Sequence, residues 1–192
     1  MSEDPLPNMN QDDGSDFEAL VNQHQERILN LCYRFVNNRE DAEDVSQDVF
    51  VEVYRSLKGF RGDAKLATWI HKIAVNKSLD FVRKKKRKRR FGLVKRFLGL
   101  DEAENELPAP QSLQPEAVFE TREQATILRQ AVESLSEKQR TVVILNKYEE
   151  LSYAEVAEVM GTTVSAVDAL LQRGMKNLRK KLYTYYQENW RE

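Results

Sequence analysis

Apolar residues recur every three or four positions along most of the chain, and this spacing predicts an all-α protein. A first helix follows Asp16 and ends near Val36, and a second begins near Asp41. A third begins at Thr68. Each has an apolar stripe on one face, so the three helices are expected to pack into one bundle over residues 16–90.

The helical pattern stops at Phe91 and resumes near Ala117. The interval 91–116 contains three prolines and no helical period, so it predicts a flexible linker. A second, four-helix unit is expected over residues 117–186. The fold prediction is therefore two small helical domains joined by a linker, with a disordered acidic tail at 1–15 and a short tail at 187–192.

The clearest local pattern lies within the second unit. Ser152 and Glu155 form a capping box that opens a short helix, and Gly161 supplies a left-handed stop. Thr162 or Thr163 can cap the longer helix that follows. Two helices joined by a tight glycine turn predict a DNA-binding helix-turn-helix, although an ordinary helical hairpin has the same pattern.

Composition favours a soluble intracellular protein. Of the 192 residues, 32% are charged and 41% are hydrophobic, and no apolar run reaches transmembrane length. The acidic start does not resemble a secretory signal, and the single Cys32 excludes an internal disulfide. The net charge is −1, but the charges are segregated: residues 83–90 are all Lys or Arg, whereas the segment 101–106 carries four acidic residues and no basic one. Such asymmetry predicts a polyanion-binding surface.

No enzymatic site is predicted. His24 and His71 fall on different predicted helices, with His71 on the polar side of the third. The chain has no CxxC, HxxxH or HExxH spacing. It also has no glycine-rich phosphate loop and no nucleophile elbow. We therefore expect no catalytic residue, no metal, no cofactor and no small-molecule substrate.

Two features of the first bundle suggest binding surfaces. One face of the second helix is acidic and has no Lys at the i+4 positions, so its repulsion is expected to be uncompensated, which suggests a basic partner. An acidic face can also be merely solvated. Phe60 and Trp69 bracket a loop of small and charged residues. The two rings are either core residues or the walls that grip an unstacked base.

The basic block at 83–90 allows three readings. It could be a solvated helix end, a membrane-surface helix together with the apolar residues after it, or a phosphate-binding surface. The helix-turn-helix pattern favours phosphates. A further hypothesis is that the acidic segment 101–106 folds back on residues 84–90 in the free protein and suppresses DNA binding.

Two long stretches carry a family resemblance. Residues 41–87, DAEDVSQDVFVEVYRSLKGFRGDAKLATWIHKIAVNKSLDFVRKKKR, resemble region two of the bacterial sigma-70 superfamily. Residues 135–182, LSEKQRTVVILNKYEELSYAEVAEVMGTTVSAVDALLQRGMKNLRKKL, resemble region four. Their order and spacing are similar to those of the extracytoplasmic-function (ECF) group, which keeps only these two regions.

The resemblance implies three sets of contact residues. Core RNA polymerase, through the clamp helices of its largest subunit, would be bound by Asp41, Asp44, Gln47 and Asp48. The promoter minus-ten element would be bound by Phe60, Lys65, Leu66, Trp69, Lys72, Asn76 and Arg83. The minus-thirty-five element would be bound by Thr163, Ser165, Ala166, Ala169, Gln172, Arg173 and Lys176.

The same resemblance implies a cytoplasmic, non-enzymatic sigma factor that directs transcription initiation. Its partners would be core polymerase, including the flap region, promoter DNA and an anti-sigma factor, often a membrane-bound one. Many relatives have an aromatic residue where Leu66 stands, and basic residues are common where this chain has Asp168 and Leu170. Two alternatives remain on residues alone: a stand-alone helix-turn-helix regulator that binds an operator as a dimer, and a basic amphipathic adaptor at a membrane surface.

Overall fold

The computed structural model describes residues 13–60, 62, 64–97 and 119–189, and within them it forms seven α-helices and no strand. This confirms the all-α prediction. A 3-10 turn at Leu57–Gly59 follows the second helix. The helices are α1 Asp13–Val36, α2 Arg39–Ser56, α3 Leu66–Phe97, α4 Phe119–Glu133, α5 Glu137–Lys147, α6 Tyr153–Met160 and α7 Val164–Asn189.

Several helix ends differ from the predicted ones. α3 begins two residues before Thr68 and continues seven residues beyond Arg90, to Phe97. Lys, Arg and Leu are good helix formers and no proline intervenes, so nothing in the sequence ends the helix at the basic block. α2 begins at Arg39 because the side chain of Asn38 accepts a hydrogen bond from the Asp41 backbone N–H at 2.8 Å.

Some predictions lie outside the described residues. These are most of the two predicted tails and residues 98–118, which include most of the predicted linker and the acidic segment 101–106. The hypothesis that this segment folds onto the basic block therefore remains a prediction, as do the domain boundaries.

The first bundle consists of α1, α2 and α3, which contact one another in all three pairs. Its centre is fully buried apolar side chains from each helix: Ile28, Leu31, Phe35, Val49, Val53 and Ile70. Burying a side chain of this size contributes about 1.5–3 kcal/mol, so this core accounts for the stability of the bundle.

The second unit packs α7 against α4, α5 and α6. Ser152 accepts from the backbone N–H of Glu155, whose side chain accepts from the Ser152 N–H in return, so the predicted capping box is confirmed. Gly161 ends α6 at φ 60°, ψ 44°, as predicted. A Cβ on Gly174 would lie 3.1 Å from Val143, so glycine allows α7 to approach α5 closely.

The two units also touch. α6 packs against α3, and the turn that joins α5 to α6 reaches α1 and α3. The first helix of the helix-turn-helix therefore lies against the helix that carries most of the predicted minus-ten residues.

Candidate nucleic-acid interface

The predicted minus-thirty-five residues share one side of the start of α7. All are exposed except Ala166, which is half-buried, whereas Val167 and Leu171 on the opposite side are buried. Thr163 accepts a hydrogen bond from the Ala166 N–H at 3.2 Å and so caps the helix, as predicted. The set is Thr163, Ser165, Ala166, Ala169, Gln172, Arg173 and Lys176. Helical spacing brings these side chains together on a surface that can enter a major groove.

The two predicted aromatic residues of the minus-ten set are in contact. The Phe60 and Trp69 ring centroids lie 5.1 Å apart with the planes tilted by 44°, and both side chains are half-buried. They line a cleft of about 250 Å³ together with Lys72. Glu158 and Val159 of α6 line its other side. Each ring is thus partly packed in the core and partly exposed as a wall of the cleft. The sequence predicted one or the other of these placements, and the structure has both.

The other minus-ten residues divide into three groups. Lys72 and Asn76 are exposed, whereas Leu66 is 9% exposed and belongs to the apolar core. Leu66 begins α3 and its side chain packs inward with the apolar stripe. Lys65 and Arg83 are exposed but form ion pairs with residues of the second unit.

Both of these ion pairs join the two units. Lys65 Nζ lies 2.9 Å from Glu155 Oε1, and the Arg83 guanidinium donates two hydrogen bonds to Glu137, at 2.5 and 3.1 Å. Hydrogen bonds from Ser152 and Lys65 lower the pKa of Glu155 to about 2. Arg83 likewise lowers the pKa of Glu137. Both carboxyl groups are therefore charged at neutral pH.

The acidic face of α2 is exposed at Asp44, Gln47 and Asp48, while Asp41 is partly buried and bonded to Lys85. The expectation that this face is uncompensated is wrong in part. Arg39 pairs with Glu43 at 2.6 Å, and Lys77 of α3 pairs with Glu52 at 3.0 Å. The prediction took account only of the charges within α2. Two of the basic partners, Lys77 and Lys85, come instead from α3, which packs beside α2.

An apolar groove adjoins this acidic face between α1 and α2. Its volume is about 1080 Å³, and Phe17, Leu29 and Phe50 lie along it. Val51 and Tyr54 also line it and are 47% and 57% exposed, respectively. The acidic face and the groove together form a surface with charged and apolar parts.

Sequence reasoning missed a buried polar contact between the two units. His71, expected on the polar side of α3, is 1% exposed, and its Nε2 lies 3.7 Å from Glu149 Oε2. Glu149 comes from the turn between α5 and α6 and also pairs with Arg27 and Arg34 of α1. No sequence signal could link Glu149 to Arg27, because they are 122 residues apart and lie in different units.

The described residues were also searched for a metal site, a membrane-spanning helix and a reactive cysteine. Among the described residues, no group of three or more His, Cys, Asp and Glu side chains could hold a metal ion. No helix there is long and apolar enough to cross a membrane. Cys32 is buried, and burial raises the pKa of its thiol to about 11, which keeps it protonated.

Comparisons with known proteins match both units. The family model described as Sigma-70 region 2 matches residues 20–88, and the one described as Sigma-70, region 4 matches residues 125–178. The ECF RNA polymerase sigma factor SigW of Bacillus subtilis (strain 168) is 32% identical over 86% of this chain and 88% of its own length. The RNA polymerase sigma-H factor of Pseudomonas aeruginosa is 31% identical over 90% of this chain and 89% of its own.

A solved structure shares the fold. The sigma factor RpoE from Bartonella quintana, in complex with the anti-sigma factor NepR, matches with a TM-score of 0.64 and 19% identity. The match covers 88% of this chain and 98% of that one.

Proposed function

The chain belongs to the ECF group of the sigma-70 family, and we propose that it acts as a sigma factor through the three surfaces described above. It binds core RNA polymerase and promoter DNA and directs transcription initiation. Sigma factors are non-enzymatic initiation factors, and accordingly the surfaces assigned below bind partners without catalysing a reaction. We place the protein in the cytoplasm, where core polymerase is found.

Core polymerase binds the acidic face of α2. Asp44, Gln47 and Asp48 are exposed, and in the described part of the chain the two aspartates have no ion pair. They are therefore available to a basic partner such as the clamp helices of the largest subunit. Asp41 belongs to the same face, but its hydrogen bond with Lys85 would have to break before it could contact the polymerase. The neighbouring apolar groove extends this interface.

The minus-ten element binds at the start and along the exposed side of α3. Phe60 and Trp69 offer aromatic walls for an extruded base, and base–aromatic stacking contributes about 1–3 kcal/mol per base. Lys65, Lys72, Asn76 and Arg83 would contact the strand beside them. Leu66 supports this surface from inside the core rather than touching DNA.

The minus-thirty-five element binds α7. Gln172 and Arg173 supply side chains that can read base edges in the major groove, while Lys176 supplies a phosphate contact. Thr163, Ser165, Ala166 and Ala169 complete the surface at its N-terminal end. An anti-sigma factor would block these surfaces until a signal arrives, as the complex formed by the Bartonella relative suggests.

The presence of a polymerase-binding face and two DNA-binding faces in one chain best supports this function. The test is reconstitution of the purified protein with core polymerase, followed by run-off transcription from upstream fragments of the source genome. A sigma factor is expected to co-elute with core polymerase and to start transcripts at defined positions. Tight operator binding without initiation would instead indicate a stand-alone regulator, and binding to anionic liposomes without polymerase binding would indicate a membrane adaptor.

A further inference from the structure

The basic block at 83–90 is a conspicuous feature of the sequence to which, apart from Arg83, the proposed function gives no role. Every residue in it is Lys or Arg, and all of the side chains are exposed. α3 continues through the block without a break and ends at Phe97. The block is therefore about two turns of regular helix rather than a frayed helix end, and it presents its cations at fixed positions.

Most of these cations have no acidic partner within the part of the chain that the structure describes. Arg83 pairs with Asp80 and Glu137, and Lys85 is bonded to Asp41. No described carboxylate forms an ion pair with the other six: Lys84, Lys86, Arg87, Lys88, Arg89 and Arg90. Like charges three or four positions apart destabilise a helix, so a bound polyanion would relieve this repulsion.

The distribution of charge around the helix favours a nucleic-acid duplex over a membrane surface. Successive residues of an α-helix are turned by about 100°, so the block has cations on every side. A membrane-surface helix needs an apolar face, and the block contains no apolar residue. Phe91, which follows it, is 71% exposed, but one ring does not make such a face. A helix about 10–12 Å wide fits a major groove of about 12 Å, where its cations can reach the phosphates of both strands.

The position of the block along α3 indicates which part of a promoter it can reach. The minus-ten residues Trp69, Lys72 and Arg83 follow one another along this helix, and the block continues it. At about 1.5 Å per residue, Lys84 and Arg90 lie about 22 and 32 Å along α3 from Trp69. At about 3.4 Å per base pair, these distances correspond to about six to nine base pairs. The chain passes from α3 to the unit that binds the minus-thirty-five element, so the end of α3 points upstream.

We propose that the basic block binds the phosphates of the spacer duplex, which is the DNA between the two promoter elements. The contact lies about six to nine base pairs upstream of the base held by Phe60 and Trp69. It adds affinity for the promoter without reading its sequence, because phosphates are the same at every base pair. The inference rests on the proposed function, because it takes the minus-ten surface of α3 as its reference point.

Two double variants with the same charge change test the proposal. The block variant combines Lys88→Gln and Arg89→Gln, which removes two cations and keeps residues that favour a helix. The control variant combines Lys138→Gln and Arg129→Gln, at exposed positions of α5 and α4. All four positions are exposed, so neither variant disturbs a core.

The measurement is the affinity of reconstituted holoenzyme for a promoter fragment with a mapped start site, at salt concentrations from about 50 to about 200 mM. Each lost phosphate contact lowers the slope of log affinity against log salt by about 0.9. The ratio of wild-type affinity to block-variant affinity is therefore expected to be about tenfold larger at the low salt concentration than at the high one. The control variant should keep the wild-type slope.

A second template locates the contact. Neutral methylphosphonates replace the phosphates about six to nine base pairs upstream of the extruded base, which should weaken binding by the wild type and the control variant but not by the block variant. Equal salt slopes for the two double variants would overturn the proposal, and so would an equal effect of the methylphosphonates on both. Equal slopes together with weaker binding of the block variant to vesicles of phosphatidylglycerol and phosphatidylcholine would assign the block to a membrane instead.

Transcription separates a failure of this proposal from a failure of the proposed function. At low salt both double variants should start transcripts at the wild-type position, because the two promoter elements are bound by other residues. Absence of any transcript with the wild-type holoenzyme would refute the sigma function itself, whereas wild-type transcription with equal salt slopes would refute only the spacer contact.

Discussion

On α7, the Gln172 side-chain nitrogen donates to both carboxylate oxygens of Asp168, at 3.0 and 3.2 Å. The amide is therefore held with its nitrogen toward Asp168 and its oxygen free. A free amide oxygen can accept from the amino group of adenine or cytosine. Asp168 thus orients the Gln172 amide, which we propose reads a base, and its negative charge is engaged in that hydrogen bond.

Gln172→Ala is expected to relax promoter preference at one position of the minus-thirty-five element. The lost base contact corresponds to about 1–3 kcal/mol of discrimination. Run-off transcription from a library randomised in that element gives the preference directly. Lys176→Ala is the matched control, because loss of a phosphate contact should weaken all sequences alike. An unchanged base preference in Gln172→Ala would remove Gln172 from the readout.

Asp44→Lys is expected to abolish binding to core polymerase while leaving the fold intact. The exposed carboxylate has no ion pair in the described part of the chain, so reversal costs little in the free protein and much against a basic partner. Co-elution with core polymerase measures the effect. Glu18→Lys makes the same charge change at an exposed position of α1 and should bind normally. Equal binding by the two variants would move the docking surface elsewhere.

Gly161→Ala is expected to destabilise the helix-turn-helix. The residue has φ 60° and no heavy atom within 4 Å of a new Cβ, so the cost is backbone strain alone, about 1–2 kcal/mol. Urea unfolding provides the comparison, with Gly59→Ala as control, because Gly59 has equal space and no positive φ. If both substitutions had the same small effect, the strain argument would be wrong.

The contribution of Glu155 to stability is expected to disappear in acid. Its pKa is lowered from 4.5 to about 2 by Ser152 and Lys65. Because the folded-state pKa lies below the unfolded-state value, the stabilisation is complete above pH 4.5 and is lost as the pH falls toward 2. The difference in unfolding free energy between wild type and Glu155→Gln should therefore shrink over this range. A difference that stays constant would contradict the assigned contacts.

Local signals in the sequence predict that the seven helices form and how the turn of the helix-turn-helix is capped. Ser152, Glu155 and Gly161 act within a few residues of one another, and the structure confirms each of them. Contacts between the units could not be predicted in this way. Glu149 and Arg27 carry no shared pattern. The sequence places His71 on the polar side of α3, because no periodicity reveals a second unit packed there. The end of α3 was missed because a run of Lys and Arg resembles a solvated terminus but continues a helix.

We propose that α3 and α7 are two promoter-binding helices, which polymerase holds at a fixed spacing. Once a start site has been mapped, inserting about five base pairs between its two elements turns them by half a helical turn without changing either sequence. Run-off transcription by the reconstituted holoenzyme is expected to be lost in this template and to be recovered when the insertion is removed. Undiminished transcription from the lengthened promoter would contradict it.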